Sequence, residues 1–328
     1  MVYAAALPGK IAESVARAAQ TLQPARIRSA IGHEDSLAFN RRYFMKDGSV
    51  VWNPRKLDPN ILRPAGPTDP AVGVVYVDTP EGAPIVAYVN YALHQDTTGG
   101  LQFSADYSYM LGKVLREAKG KRLITIFTIG CAGNVNHLDV SRTDPQSGYS
   151  EASRIGAVLA AAALKAIQHA PVLDVPFIRL SSQSVKLPTP EITTKEAEWA
   201  RATAATSGKP DAAPFLDLVR AGRNMDILAL HGGLLDAEVQ AIACGDQLAF
   251  VGMPGEIFVE LGLTLKQDSP FANTIIVELA NGALGYIPNS KAYQEGGYEV
   301  VASHCAPGGG EMLMSSALRQ LFDLFRTQ

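Results

Sequence analysis

The sequence predicts an α/β protein: a mixed central β-sheet flanked by helices, in a single domain that carries a helical insert. Three observations predict it. Apolar β-rich runs alternate with helical patterns along the whole chain. Two pairs of those runs, within 72–92 and 237–251, are joined by short turns and must be antiparallel, whereas the other strands are separated by helices. A chain of 328 residues that is 47% hydrophobic can bury one large core without disulfides.

Apolar residues at Ile11, Val15, Ala18 and Leu22 predict a helix over Pro8–Leu22, and Pro24–Gly32 reads as a short strand. From His33 to about Pro70 the pattern is irregular, with six prolines between positions 54 and 80. A connection that long lines or covers a site more often than it merely joins elements. Val72–Asp78 and Pro84–Ala92 are strands around the turn Thr79–Ala83; Phe103–Ala118 is a helix, Arg122–Ile129 a buried strand, and Ser150–His169 an Ala-rich helix. Val172–Leu187 alternates as an edge strand does. Thr193–Thr206 and Ala212–Arg223 are surface helices of a polar insert spanning 188–224. Strands are expected at Met225–Gly232, Ala237–Cys244, Gln247–Val251 and Asn273–Leu279, and helices at Glu256–Gln267 and Met312–Arg326. No internal repeat is visible.

The 29 basic and 32 acidic residues, with no basic run, argue against nucleic acid and anionic membrane surfaces as partners. No stretch is long and apolar enough to span a bilayer, and no signal-peptide pattern opens the sequence. The three cysteines, Cys131, Cys244 and Cys305, are widely spaced and read as buried thiols.

Chemistry is expected where strands end in polar, Gly-rich loops. In Asn90–Gly100, His94 is followed two residues on by Asp96, which suits either a metal ligand with a supporting acceptor or a hydrogen-bonded structural His. In Ile129–Asp139, small residues precede Asn134, Asn136 and His137 and offer backbone N–H groups to an oxyanion; Cys131 there reads as structural. Glu256 in Val251–Glu256 is expected in the first turn of a helix, as a ligand or as a capping carboxylate. Tyr286 and Tyr298 lie in Gly/Pro-rich loops, a setting that suits packing or substrate contact. Gly-x-Ser-x-Gly, His-Glu-x-x-His and Rossmann glycine patterns are absent. The residues alone therefore stop at an α/β enzyme with hydrolysis as one option.

Taken in order, the segments Leu7–Ala18, Leu22–Arg26, Asn40–Arg42, Asn90–His94, Ser104–Tyr107, Ala132-Gly133, Pro254–Glu256, Gly285-Tyr286 and Gly296–Glu299 resemble the neutral/alkaline (non-lysosomal) ceramidase family over nearly the whole chain. The resemblance implies a catalytic Zn²⁺ held by two His, one Glu and one Tyr, whose bound water attacks the amide of an N-acyl sphingoid base. It carries the second His onto His94, the Glu onto Glu256 and the Tyr onto Tyr286, and it makes Tyr298 the tyrosine that contacts the amide oxygen. A small-molecule lipid substrate follows.

The sequence departs from the family twice. The family's first zinc His lies in His-Thr-His-Ser-Gly-Pro, upstream of the helix that opens this chain; that motif is missing, so the start is expected to be incomplete. Asn134 and Asn136 stand where relatives have Asp and Ser. Asn136 cannot act as a serine nucleophile, which leaves the metal-activated water and gives Asn136 and His137 a place lining the pocket. Members of the family are commonly exported, but this sequence leaves localisation and oligomeric state open. Two alternatives also stay open: a hydrolase of the same fold with another amide or ester substrate, and a metal-free paralogue that binds lipid or a partner.

Overall fold

The computed structural model describes residues 2–230 and 233–326. Its elements recur in one order twice. In the first half, β1 (Arg26–His33) is followed, after a long insertion, by β6 (Ala71–Asp78) and β7 (Pro84–Tyr91), then α2 (Asp106–Lys119), β8 (Ile124–Ile129) and α3 (Tyr149–His169). The second half runs β10 (Ile178–Pro188), an insertion, β11 (Leu234–Cys244), β12 (Leu248–Gly252), α6 (Val259–Asp268), β14 (Asn273–Val277) and α9 (Gly309–Arg326).

Each half forms a four-stranded mixed sheet, ordered β1-β6-β7-β8 and β10-β11-β12-β14. In both sheets the first two pairings are antiparallel and the last, across a helix, is parallel. The expected mixed sheet with flanking helices is thus present in duplicate. The repeat is one of topology, which the sequence does not reveal because burial fixes hydrophobic periodicity without fixing which apolar residue is used.

The two sheets stack between helical layers. Val72, Val74 and Tyr76 point toward α2 and α3, where they join Leu111, Leu115, Ile155 and Leu159. Val75, one residue out of step, points the other way and meets Leu248 and Ile275 across the sheet interface. Tyr88 of β7 and Phe250 of β12 touch edge to face there, with ring centroids 5.4 Å apart. Val239, Ala241, Val251 and Ile276 face outward again, onto Leu265 of α6 and Leu313, Ala317 and Leu321 of α9. The result is a helix–sheet–sheet–helix stack, and the interior of each sheet is buried on both faces.

The remaining elements decorate this stack. The opening helix α1 (Val2–Gln20) runs through Pro8, six residues earlier than the apolar spacing predicts, and Leu7, Ile11 and Val15 are exposed. The insertion expected to be irregular holds β2 (Phe39–Asn40), β3 (Arg42–Met45), β4 (Val50–Trp52) and β5 (Ile61–Pro64); β3 to β5 form a small antiparallel sheet, and β2 pairs with β9 (Val135–Asn136). The second insertion holds α4 (Thr194–Ala204), closed by a Thr193/Glu196 capping box, and α5 (Phe215–Ala229). Here the sequence misleads. Residues 225–229, expected as strand, are the last turns of α5, while 231 and 232 lie outside the described residues. A six-residue run such as Met225–Leu230 satisfies either period, and the helix that precedes it decides. The other short elements are β13 (Glu256–Ile257), β15 (Tyr286–Ile287), α7 (Ser290–Glu295) and α8 (Tyr298–Ala302). Among the described residues no helix is long and apolar enough to cross a membrane.

Candidate functional site

The loops after the third strand of each half, β7 and β12, occupy corresponding places in the two sheets, and they deliver His94 and Glu256 to one point. His94 Nε2 lies 2.9 Å from Glu256 Oε2, and Nδ1 lies 2.9 Å from the carbonyl oxygen of Val135. A carbonyl only accepts, so Nδ1 carries the proton that it receives, and Nε2 turns toward the carboxylate. Burial works most strongly against the imidazolium, yet the Glu256 hydrogen bond together with the Glu278 and Glu256 charges outweighs it, and His94 is raised above its ordinary value.

Glu256 does not begin a helix. It sits on β13, paired in parallel register with Tyr286 on β15, and α6 starts only at Val259. Its N–H donates to the carbonyl of Gly285 and that of Phe258 to Ile287, so the residues after Pro254 are held as strand before they can coil. This pairing puts the Tyr286 side chain on the same face as Glu256. Burial raises the Tyr286 phenol well above its ordinary range, with the Arg41 guanidinium, 5.2 Å from the ring centre, pulling the other way. Among the described residues no three His, Cys, Asp or Glu side chains group to hold a metal; the third member of this set is a phenol.

The 130–134 loop closes in behind. A Cβ on Gly133 would stand 2.3 Å from the Glu256 carbonyl oxygen, so only glycine allows this approach, and the Gly133 N–H donates to Ile257 O. The Ala132 N–H is taken by Glu278. The expectation that these N–H groups are offered to an oxyanion is therefore corrected: that of Gly133 is spent on β13 and that of Ala132 on the Glu278 carboxylate. Cys131 is buried, and burial pushes its thiol far above the reactive range, as befits a structural residue.

Asn136 and His137 are near but turned inward. Asn136 donates to Asn53 Oδ1 and accepts from the Leu138 N–H. His137 Nδ1 meets Asp96 Oδ1 at 3.1 Å and Nε2 meets Gln146 O at 2.8 Å. All these polar atoms are committed within the protein; His137, through Asp96, braces the loop that carries His94, and Asn136 ties its own loop to Asn53. Tyr298, at the start of α8, lies beside Tyr286 with ring centroids 5.5 Å apart.

Two groups escaped notice as site residues. Arg41 is buried against Glu299 (Nε–Oε1 2.7 Å), donates to Gly133 O at 2.9 Å and covers Tyr286, so one guanidinium ties the first insertion to three parts of the site. Glu278, at the end of β14, accepts from the N–H groups of Ala132 and Ile257 through one oxygen. The signal for it was a lone carboxylate closing the apolar run Ile275–Val277; buried charges of this kind have no periodicity.

Burial pushes the Glu278 carboxyl up to about 8, well above its unfolded value near 4.5, with nearby Glu256 adding to the shift and His94 opposing it. Between those values the unfolded chain has lost the proton and the native protein keeps it, so stability falls as pH rises through that window. At 1.36 kcal/mol per unit the span is on the order of 5 kcal/mol. In EDTA-treated protein, Glu278→Gln is expected to match the parent near pH 4.5 and to gain on it steadily toward pH 8 in urea unfolding. A difference that is constant with pH would contradict this.

No family model matches the chain, and no curated protein matches it. Among solved structures, the neutral ceramidase from Pseudomonas aeruginosa superposes with a TM-score of 0.69 at 17% identity, over 96% of this chain and 54% of that one. A ceramidase complexed with C2 superposes with a TM-score of 0.66 at 16% identity, over 95% of this chain and 55% of the other. The chain therefore spans about half the length of these two proteins. At such identity the likeness is one of architecture: this chain has a ceramidase-like fold.

Proposed function

We propose that the protein is a zinc-dependent hydrolase of ceramide-like N-acyl lipids, with His94, Glu256 and Tyr286 as the protein donors to the metal. The observation that supports the reading is the 2.9 Å contact of His94 with Glu256, 162 positions apart, with Tyr286 paired beside Glu256 on β15, 30 positions further on. The donor set fits the ion. The Nε2 lone pair of His94 is fixed in direction by the Val135 carbonyl, mixed N/O ligation suits zinc, and three protein donors leave a fourth position open. Bound there, zinc would supply a Lewis acid that polarises the amide carbonyl and brings water near its deprotonation point at neutral pH.

The protein groups have their own tasks. Glu256 Oε2 and His94 Nε2, 2.9 Å apart, are the two atoms that would turn to the ion, with Glu256 supplying the anionic donor. Tyr298 donates its hydroxyl to the oxygen that gains charge as the amide is attacked, which the committed loop N–H groups cannot do. Arg41 keeps Tyr286 and the Gly133 backbone in place. His137 braces the His94 loop through Asp96, and Asn136 ties the neighbouring loop to Asn53.

The test is metal removal. Purified protein is expected to hold about one zinc per chain, to cleave a fluorogenic N-acyl sphingosine, to lose that activity in EDTA and to regain it with zinc. A protein that neither binds zinc nor cleaves the amide would support the metal-free lipid-binding alternative instead.

A further inference from the structure

The two insertions meet above the candidate metal site, and they meet through aromatic rings. Trp52, on β4 of the first insertion, lies 4.8 Å from Tyr298 with ring planes 30° apart. Phe215, the first residue of α5 in the second insertion, lies 5.8 Å from Tyr298 and 6.2 Å from Trp52, with ring planes 23° and 22° apart. Two of the three rings are set rigidly. Trp52 pairs with Arg42 in the β3–β4 ladder, and Arg42 Nη2 donates to the Gly296 carbonyl two residues ahead of Tyr298. Phe215 is different: it follows Pro214, opens an exposed helix and is 57% exposed, with Leu216 beside it 42% exposed.

A cluster that served only to pin the insertion would bury Phe215. This one leaves its ring half in water, a residue away from a second apolar side chain, and next to the tyrosine pair of the site. Near-parallel ring faces with an open side form a surface that a methylene chain can cover. We propose that Trp52, Tyr298 and Phe215 form the wall that receives the acyl chain of the amide, and that Phe215 sets which chain lengths are held. The proposal rests on the amide-hydrolase reading for the kind of ligand, and its experiment is independent of turnover.

Trp52 itself supplies the probe, because the only other tryptophan is Trp199 on α4. In Trp199→Phe protein kept in EDTA, so that no amide is cleaved, Trp52 fluorescence is titrated with acetyl, hexanoyl and decanoyl ethanolamides. Affinity is expected to rise with chain length, at most about fourfold per methylene covered. Phe215→Ala is expected to weaken the decanoyl compound about tenfold and leave the acetyl compound unchanged, and Phe215→Leu to recover most of the loss. Because Phe215 is more than half exposed, an unchanged unfolding midpoint should accompany these effects.

Equal weakening of all three compounds, or none, would overturn the proposal. The two readings separate cleanly. Chain-length discrimination that depends on Phe215, in a protein whose zinc-loaded form cleaves nothing, upholds the wall and removes the hydrolase. Cleavage of N-acyl sphingosine with no effect of Phe215→Ala on any chain length does the reverse.

Discussion

Glu256→Gln is expected to strip the protein of zinc and to lower N-acyl amide hydrolysis by about a thousandfold or more, with the fold intact. Gln keeps the shape of Glu and leaves the backbone pairing of β13 with β15 untouched, so Tyr286 stays in register. Its amide still donates a hydrogen bond to His94 Nε2, the atom now facing the carboxylate at 2.9 Å. What is lost is the anionic donor. Lewis-acid stabilisation is worth several kcal/mol, and about 4 kcal/mol corresponds to a thousandfold in rate. Competition against a chromophoric chelator measures the first effect and hydrolysis of a fluorogenic N-acyl sphingosine the second. Parental zinc affinity together with parental turnover in the variant would remove Glu256 from the site.

Arg41→Met should destabilise the protein by about 3–5 kcal/mol, the usual cost of removing one partner of a buried ion pair. Glu299 is fully buried, and Arg41 Nε is its one close hydrogen-bond donor; Arg42 Nε stands 3.6 Å from the other carboxylate oxygen, and neither of those two atoms has a hydrogen-bond partner among the described residues. Burial disfavours the Arg41 cation, but Glu299 and Tyr286 together more than offset this and hold its pKa above the ordinary value. The variant also frees the Gly133 carbonyl and uncovers Tyr286, so activity should fall more than stability alone accounts for. The double change Arg41→Met/Glu299→Leu removes both charges, and it should be more stable than Arg41→Met by urea unfolding. If the double variant is the less stable of the two, the cost does not come from the stranded carboxylate.

Much of the architecture was legible along the chain because strand and helix periods are written in burial. Residues 72–78 and 84–91 alternate between two packed faces, and their hairpin appears in register from Gly73↔Asn90 to Val77↔Val86. The edge position of β10 was legible from its polar outer face. Small pieces were not. β13 and β15 are two residues each, and they exist because Glu256 and Tyr286 find each other across thirty positions; no local pattern encodes that pairing. The strands within 39–64 were hidden in the same way, by prolines and turns that read as loop.

The candidate site divides along the same line. His94, Glu256 and Tyr286 could be named because each ends a strand in a polar loop and matches a family pattern. Their closeness could not be read. Nor could the inward turn of Asn136 and His137, because an amide or imidazole in a Gly-rich loop looks alike whether it faces a cavity or a backbone carbonyl.

By itself the sequence determined the α/β class and the order of the principal elements. Local periodicity and side-chain chemistry are properties of the chain, so these could be read without coordinates. Only the tertiary structure decided that two mixed sheets stack face to face, that the loops after β7 and β12 meet, and that Arg41, Glu278, Trp52 and Phe215 stand around the meeting point. Those facts depend on contacts between residues far apart in sequence, whose energies come from burial and electrostatics that exist only once the chain has closed on itself.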